Sequence, residues 1–318
     1  MSIQLLDLEP AATDDESEIL AGLSRDQKEI SPKYFYDQTG SRLFDEICKQ
    51  PEYYPTRTEV GIMQAHVHEM AGHIGPRASI IEFGSGSSIK TRLLLDNFTE
   101  LAAYVPVDIS REHLVQAAEQ LAQEYPHIEV LPVCADFTQP FDLPQPQITP
   151  RLNMVFFPGS TIGNFSEHEA QGILSVMREE ARDDGALLIG VDLEKPRPLL
   201  ERAYNDAAGV TADFNLNLLT RLNEEHAANF DVALFEHNAI YDDQKSRIEM
   251  RLVSLTKQSI EIAGEEISMD KGEYIVTEHS HKYSREGFAA MANAAGFEVH
   301  SVWTDPKELF SVQYLEAA

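Results

Sequence analysis

Ile80-Ile81-Glu82-Phe83-Gly84-Ser85-Gly86-Ser87-Ser88 joins an apolar run ending in an acid to a Gly-x-Gly turn. This is the pattern of a strand that turns into a helix where backbone must approach a ligand too closely for a Cβ. Asp108 closes a second apolar run 24 residues after Gly84, where a carboxylate can accept hydrogen bonds from ribose hydroxyls. Asp136-Phe137 closes a third, where an acid and a ring suit an adenine. Three such features at the ends of successive strands point to an adenosine-containing cofactor. The third glycine of the dinucleotide fingerprint is replaced by Ile89, which weighs against a nicotinamide-dependent oxidoreductase. Each residue also has an ordinary reading: Gly84 and Gly86 as a tight turn, Asp108 as the cap of a helix opening near Arg111, Phe137 as core.

A second group lies farther along. Glu278 and Ser280 are two apart in the segment EYIVTEHSHKY, so an extended chain projects them from one face with Val276 beside them. A carboxylate and a hydroxyl side by side can accept from one imidazole nitrogen and donate to the other, a readout that an indole or a phenol leaves incomplete. Taken alone, the pair reads more simply as solvent-facing positions on an edge strand. His279 and His281 project from the opposite face with no third ligand at a recognisable spacing, so no metal site is expected. Met250, within the alternating Ile248-Met250-Leu252, reads as core. Tyr34, Tyr36, Tyr53 and Tyr54 are dense for one segment; they suit packing between domains or an amino-acid pocket, where each offers an apolar ring with a polar edge.

The elements that position these residues follow from periodicity. From Ser79 onward short apolar runs alternate with helical ones, in a βαβαβ series continued by NMVFFPGS, a helix opened by Ser166 with Glu169 at the capping-box position, and GALLIGVDL. Such alternation predicts an α/β domain with a doubly wound parallel sheet. Residues 1–56 read as short helices and turns, and 199–235 as two helices. RIEMRLVSL, QSIEIAG and EYIVTEHSHKYS read as antiparallel strands. FEVHSVWTDP and LFSVQYLEA lie too close together for a parallel crossover and predict an antiparallel pair at the sheet edge. The expected organisation is one domain from 57–195 plus 284–318 and a second, mixed α+β domain from 1–56 plus 196–283.

Composition narrows the function classes. The 318 residues carry 25 Lys+Arg against 53 Asp+Glu, a net charge of −28, which repels phosphate backbones and anionic lipid. Neither nucleic acid nor a membrane is an expected partner. Two widely spaced cysteines, Cys48 and Cys134, argue against a disulfide framework and a structural zinc. The first residues lack the order of a secretory signal and no apolar stretch approaches the ~20 residues that span a bilayer, so a cytoplasmic protein is expected.

Several longer runs go further: SPKYFYDQTGSRLFDEI, PEYYPTRTE, EFGSGSSIKTR, PGSTIGN, AYNDAAGVTADFN, RIEM and TEHS. Over nearly its whole length the chain resembles the histidine Nα-methyltransferases of the ergothioneine pathway, and its Gly turn, strand-end acids and closing hairpin resemble class I S-adenosylmethionine-dependent methyltransferases. PEYYPTRTE and AYNDAAGVTADFN are much more specific than the Gly-x-Gly. The resemblance implies a Rossmann-like sheet, a substrate-binding second domain, and three methyl transfers from S-adenosylmethionine to the α-amine of L-histidine, giving hercynine. It implies that Asn164 and Tyr204 hold the substrate carboxylate, that Gly159 and Tyr36 lie near the amine, and that Tyr54, Glu278 and Ser280 receive the imidazole with Met250 nearby. On the cofactor side it implies Gly84, Ser85, Gly86, Lys90, Asp108, Asp136 and Phe137. A monomer without a metal is expected. The proton of the amine has two candidate destinations, since a Tyr36 phenol of pKa about 10 is a weak base at neutral pH and water serves as well. Alternatives are an α-N-methyltransferase of another aromatic amino acid or indole metabolite, a nicotinamide-dependent oxidoreductase, and a non-catalytic cofactor-binding module.

Overall fold

The structure is a computed structural model that describes residues 3–8, 15–85, 89–98 and 100–318. In chain order the elements are β1 (Leu6–Asp7), α1 (Asp15–Leu23), α2 (Gln38–Ile47), α3 (Pro55–Ile74), β2 (Ala78–Phe83), α4 (Ile89–Asn97), β3 (Ala103–Asp108) and α5 (Arg111–Glu124). There follow β4 (Val133–Cys134), β5 (Leu152–Phe157), α6 (Glu167–Ala181), β6 (Ala186–Asp192), α7 (Arg197–Ala203), α8 (Val210–Glu225) and β7 (Phe235–Asp242). The rest are β8 (Arg247–Ser254), β9 (Gln258–Ile262), β10 (Glu265–Met269), β11 (Tyr274–His281), α9 (Arg285–Ala294), β12 (Phe297–Thr304) and β13 (Phe310–Ala317).

They fall into two compact units. The first holds β1, Arg57–Leu193 and Tyr283–Ala318. Its sheet has the order β1-β4-β3-β2-β5-β6-β13-β12, parallel up to β6 and antiparallel on either side of β13. The strands at its centre are buried throughout, because helices cover both faces. Alternate residues serve alternate layers. Ile80, Phe156 and Leu188 pack with Met63 and Met70 of α3, whereas Ile81, Val155 and Leu187 pack with Leu174 and Met177 of α6 and Phe288 of α9. The doubly wound sheet and its closing antiparallel pair are as the sequence predicts, and so is the start of α6. There Ser166 Oγ accepts the Glu169 N–H while the Glu169 carboxylate accepts the Ser166 N–H.

Two expectations need correction in this unit. IEVLPVCAD forms only the two-residue β4, with Val130 adding one isolated bridge to Tyr104; Pro106 of β3, lacking an N–H to give the Leu131 carbonyl, interrupts the ladder between them. Residues 1–56 are not all helix and turn, since Leu6–Asp7 adds a parallel edge to β4.

The second unit runs from α1 to Thr56 and resumes at Glu194–Lys282. A three-stranded antiparallel sheet, β11-β8-β7, packs against α8, and β9 and β10 form a separate hairpin. The expected helices at 199–235 are α7 and α8, but from Phe235 the chain is already β7, and β10 is a further strand beyond those expected. Among the described residues no helix is long and apolar enough to cross a membrane.

Candidate functional site

Parallel register brings the sequence-predicted cofactor residues of the first unit to one sheet edge. Phe83 pairs with Val107 and Asp108 with Cys134, so β2, β3 and β4 end together. Gly84 follows β2 with φ +70, and its N–H donates to the Val107 carbonyl at 2.9 Å; a left-handed residue here favours glycine. Ser85 is 2% exposed, and its Oγ finds no hydrogen-bond partner among the described residues. A buried unsatisfied hydroxyl is costly and marks a place where a ligand's polar group fits. Gly86 lies outside the described residues.

Asp108 is half-buried, with Oδ1 accepting the Ser110 N–H at 2.8 Å, and burial raises its pKa. Ser110, rather than Asp108, stands at the N-cap of α5. Asp136 Oδ1 accepts the Thr138 N–H and hydroxyl at 2.9 and 2.7 Å. Phe137 is half-buried against Phe83 and Phe157, with ring centroids 5.4 and 5.8 Å away, and its ring lies 3.8 Å from where a Cβ on Gly84 would stand. A partly open ring, two strand-end carboxylates, a left-handed glycine and an orphan hydroxyl together fit an adenosine group.

Lys90 and Gly159 meet through a residue absent from the sequence-predicted set. Glu59, 1% exposed, accepts Lys90 Nζ at 2.8 Å and the Gly159 N–H at 2.9 and 3.0 Å. Room for it comes from Gly190 on β6, where a Cβ would fall 2.1 Å from Glu59 Oε1. Gly159 itself has φ +85 and is exposed. Ser160 Oγ accepts the Asp192 N–H at 2.9 Å, tying the same loop to the end of β6. Asn164 closes the single 3-10 turn Thr161–Asn164 and is half-buried. Glu59 sits in PEYYPTRTE, a run whose specificity was the available signal, but an acid in a helical segment looks like a solvent-facing one.

The other predicted residues belong to the second unit. Glu278 is paired with Met250 and Ser280 with Ile248, so these four share one face of the β11–β8 ladder. Val276 does not share it. A bulge between Val276 and Glu278 inserts Thr277 as an unpaired residue and puts Val276 opposite Arg251. Thr277 Oγ1 donates instead to Asn215 Oδ1 at 2.7 Å. Asn215, fully buried, donates to His237 Nδ1 at 2.9 Å, which leaves Nε2–H to donate to the Tyr204 carbonyl at 2.8 Å. Burial lowers the His237 pKa, which suits this neutral form.

Tyr204 is anchored by that chain, and its hydroxyl lies 2.8 Å from Ser280 Oγ. Lys282, 3% exposed and also absent from the predicted set, donates to both oxygens, at 2.7 Å to Ser280 and 3.1 Å to Tyr204. Glu278 is half-buried, and burial pushes its carboxyl up to about 7, opposed by the charge of Lys282. Tyr54 is buried, and Lys195 Nζ donates to its hydroxyl at 2.7 Å while lying 4.5 Å from the ring centroid. Tyr36 is 43% exposed and packs edge-on against Phe44 and Phe214. Tyr53 meets Tyr204 edge-on at 6.1 Å. His279 lies on the other face, opposite Glu249, and no cluster of His, Cys, Asp or Glu placed to hold a metal is found among the described residues.

The family of histidine-specific, S-adenosylmethionine-dependent methyltransferases has a sequence model that matches residues 15–317. This chain belongs to that family. A histidine N-alpha-methyltransferase of Mycolicibacterium smegmatis is 40% identical over 294 residues, covering 91% of this chain and 90% of its own. One from Mycobacterium tuberculosis is 37% identical over 91% of this chain and 90% of its own. An ergothioneine biosynthesis protein 1 of Neurospora crassa is 31% identical over 87% of this chain, which spans 32% of that longer protein. In this histidine-specific methyltransferase, then, the left-handed glycine, the strand-end acids and the orphaned Ser85 hydroxyl of the first unit are the features that fit S-adenosylmethionine.

Proposed function

We propose that this methyltransferase transfers methyl groups from S-adenosylmethionine to the α-amine of L-histidine, three in succession, and so makes hercynine, the first step toward ergothioneine. The observation that carries the substrate is the placing of Glu278, an acceptor, on one face with Ser280, whose oxygen accepts from Lys282 and whose hydroxyl can turn to donate to a ligand. One imidazole can meet both; a phenol or an indole leaves one of them unmatched and desolvated, which costs more than the contact gains.

S-adenosylmethionine supplies the activated methyl, so neither a covalent intermediate nor a metal is required of the protein. The chain's task is alignment. Asp108 and Asp136 are assigned to the ribose and adenine side, with Phe137 against the ring and Gly84, Ser85, Gly86 and Lys90 around the rest of the cofactor. Asn164 and Tyr204 are assigned to the substrate carboxylate, Tyr54, Met250, Glu278 and Ser280 to the imidazole, and Gly159 and Tyr36 to the amine. The amine must lose a proton before each transfer, to a Tyr36-linked path or to water.

Calorimetry tests both halves. Histidine should bind to protein saturated with S-adenosylhomocysteine, and tryptophan should bind at least ~100-fold more weakly, the scale of an unmatched polar pair. Asp108→Ala should weaken S-adenosylhomocysteine by about 10- to 100-fold, as expected for losing a charged hydrogen bond. Equal affinity for the two amino acids, or an unchanged cofactor affinity in Asp108→Ala, contradicts the corresponding half.

A further inference from the structure

Lys282, Ser280 and Tyr204 form a buried triangle in the second unit, all three less than 8% exposed. Lys282 Nζ is 2.7 Å from Ser280 Oγ and 3.1 Å from Tyr204 OH, and the two hydroxyl oxygens are 2.8 Å apart. An ammonium has three donors and no acceptor, while each hydroxyl has one proton and two lone pairs. With Lys282 donating to both oxygens and one hydroxyl donating to the other, one of the two O–H protons is spent inside the triangle.

A histidine held by these residues asks for two. Its carboxylate needs a donor at Tyr204. Its ring gives one N–H to Glu278 and turns the unprotonated nitrogen to Ser280, which must also donate. When both protons point outward the hydroxyl–hydroxyl bond is gone, and two lone-pair-bearing oxygens face each other in a site too buried for water to relieve them. Only a donor shared by both makes that state stable.

We propose that Lys282 is the specificity-determining positioning residue of this site: its ammonium bridges the Ser280 and Tyr204 oxygens so that both hydroxyls donate to the substrate at once. The selection is for a ligand with two acceptors, a carboxylate and a neutral ring nitrogen. A histidine whose ring is protonated keeps only the carboxylate, and a decarboxylated amine keeps only the ring nitrogen. This inference rests on the histidine assignment above and adds to it a residue that touches the substrate only through its neighbours.

The test is calorimetry on protein saturated with S-adenosylhomocysteine. Lys282→Met should raise the histidine Kd about 10- to 30-fold, the scale of one lost charge-assisted hydrogen bond, with S-adenosylhomocysteine affinity unchanged. Histamine, which lacks the carboxylate, should lose no more than about twofold. Tyr204→Phe should weaken histidine in the wild-type background yet add no more than about twofold to Lys282→Met, because coupled sites are non-additive. Lys282→Gln keeps two N–H donors and should stay within about threefold of wild type, which also decides the matter if the Met variant fails to fold. An unchanged histidine Kd in Lys282→Met, an equal loss for histamine, additive losses with Tyr204→Phe, or a Gln variant as weak as Met overturns the bridge. Failure of wild type to bind histidine overturns the substrate assignment along with it, a result distinguishable from normal binding that Lys282→Met leaves untouched.

Discussion

Glu278→Ala should raise the histidine KM about 100-fold while leaving S-adenosylmethionine affinity alone, because a buried N–H loses an ionised acceptor worth about 1.5–3 kcal/mol. Rejection of other aromatic amino acids should relax at the same time, since the desolvated carboxylate that penalises them is gone. The pH dependence gives a second signature. Burial raises the Glu278 carboxyl from 4.5 to about 7, so below that pH the free protein holds it protonated and it has lost its charge. In wild type kcat/KM for histidine should therefore rise with pH through a limb near 7, and Glu278→Gln should lack that limb while keeping the one set by the substrate amine. Stability moves the other way. A carboxyl with a raised folded-state pKa binds a proton that the unfolded chain has released, so between about 4.5 and 7 its contribution to stability falls as pH rises. Unchanged KM and an unchanged pH profile in Glu278 variants contradict its assignment.

The other large effect is expected at Glu59. This carboxylate is almost fully buried, pairs with a Lys90 that is 9% exposed, and accepts the Gly159 N–H. Glu59→Leu strands a buried ammonium and a backbone donor, so it should cost about 3–5 kcal/mol, or a Tm drop on the order of 10 °C for a unit of this size. Adding Lys90→Met removes the stranded charge and should restore most of that stability, because replacing both partners of a buried pair by apolar groups is often neutral. Cofactor affinity should not return with it, since the Lys90 ammonium assigned to the cofactor is gone. Thermal unfolding and calorimetry with S-adenosylhomocysteine separate the two effects. A Glu59→Leu protein that melts within about 2 °C of wild type would refute the buried-pair account.

Much of the scaffold was legible because its signals are local. Apolar runs bounded by turns gave β2, β5 and β6, Ser166 and Glu169 gave the start of α6 through a capping box, and the short gap between FEVHSVWTDP and LFSVQYLEA forced an antiparallel pair. The strand-end residues Gly84, Asp108 and Asp136-Phe137 were legible for the same reason, as each closes a run whose direction the sheet fixes. What escaped depends on contacts between distant segments. Glu59 and Lys90 are 31 residues apart and become partners only where Gly190 leaves room for a carboxylate. Lys282 looks like a charged residue at a strand end until Tyr204, 78 residues earlier, is set beside it. The bulge at Thr277 is written in no alternation of its own; the Thr277 hydroxyl donates to Asn215, 62 residues earlier, and the bulge turns Val276 to the face away from Glu278. Glu278 and Ser280 kept their shared face because both lie beyond the bulge.

The most direct measurement is turnover itself. Purified protein incubated with S-adenosylmethionine and an equimolar panel of amino acids, with products read by mass spectrometry, should yield histidine carrying one, two and finally three added methyl groups and leave tryptophan, tyrosine and phenylalanine unmodified. Methylation of a different amino acid in preference to histidine would contradict the pairing of Glu278 and Ser280 as an imidazole site, and the absence of any methylated product would contradict the proposed activity.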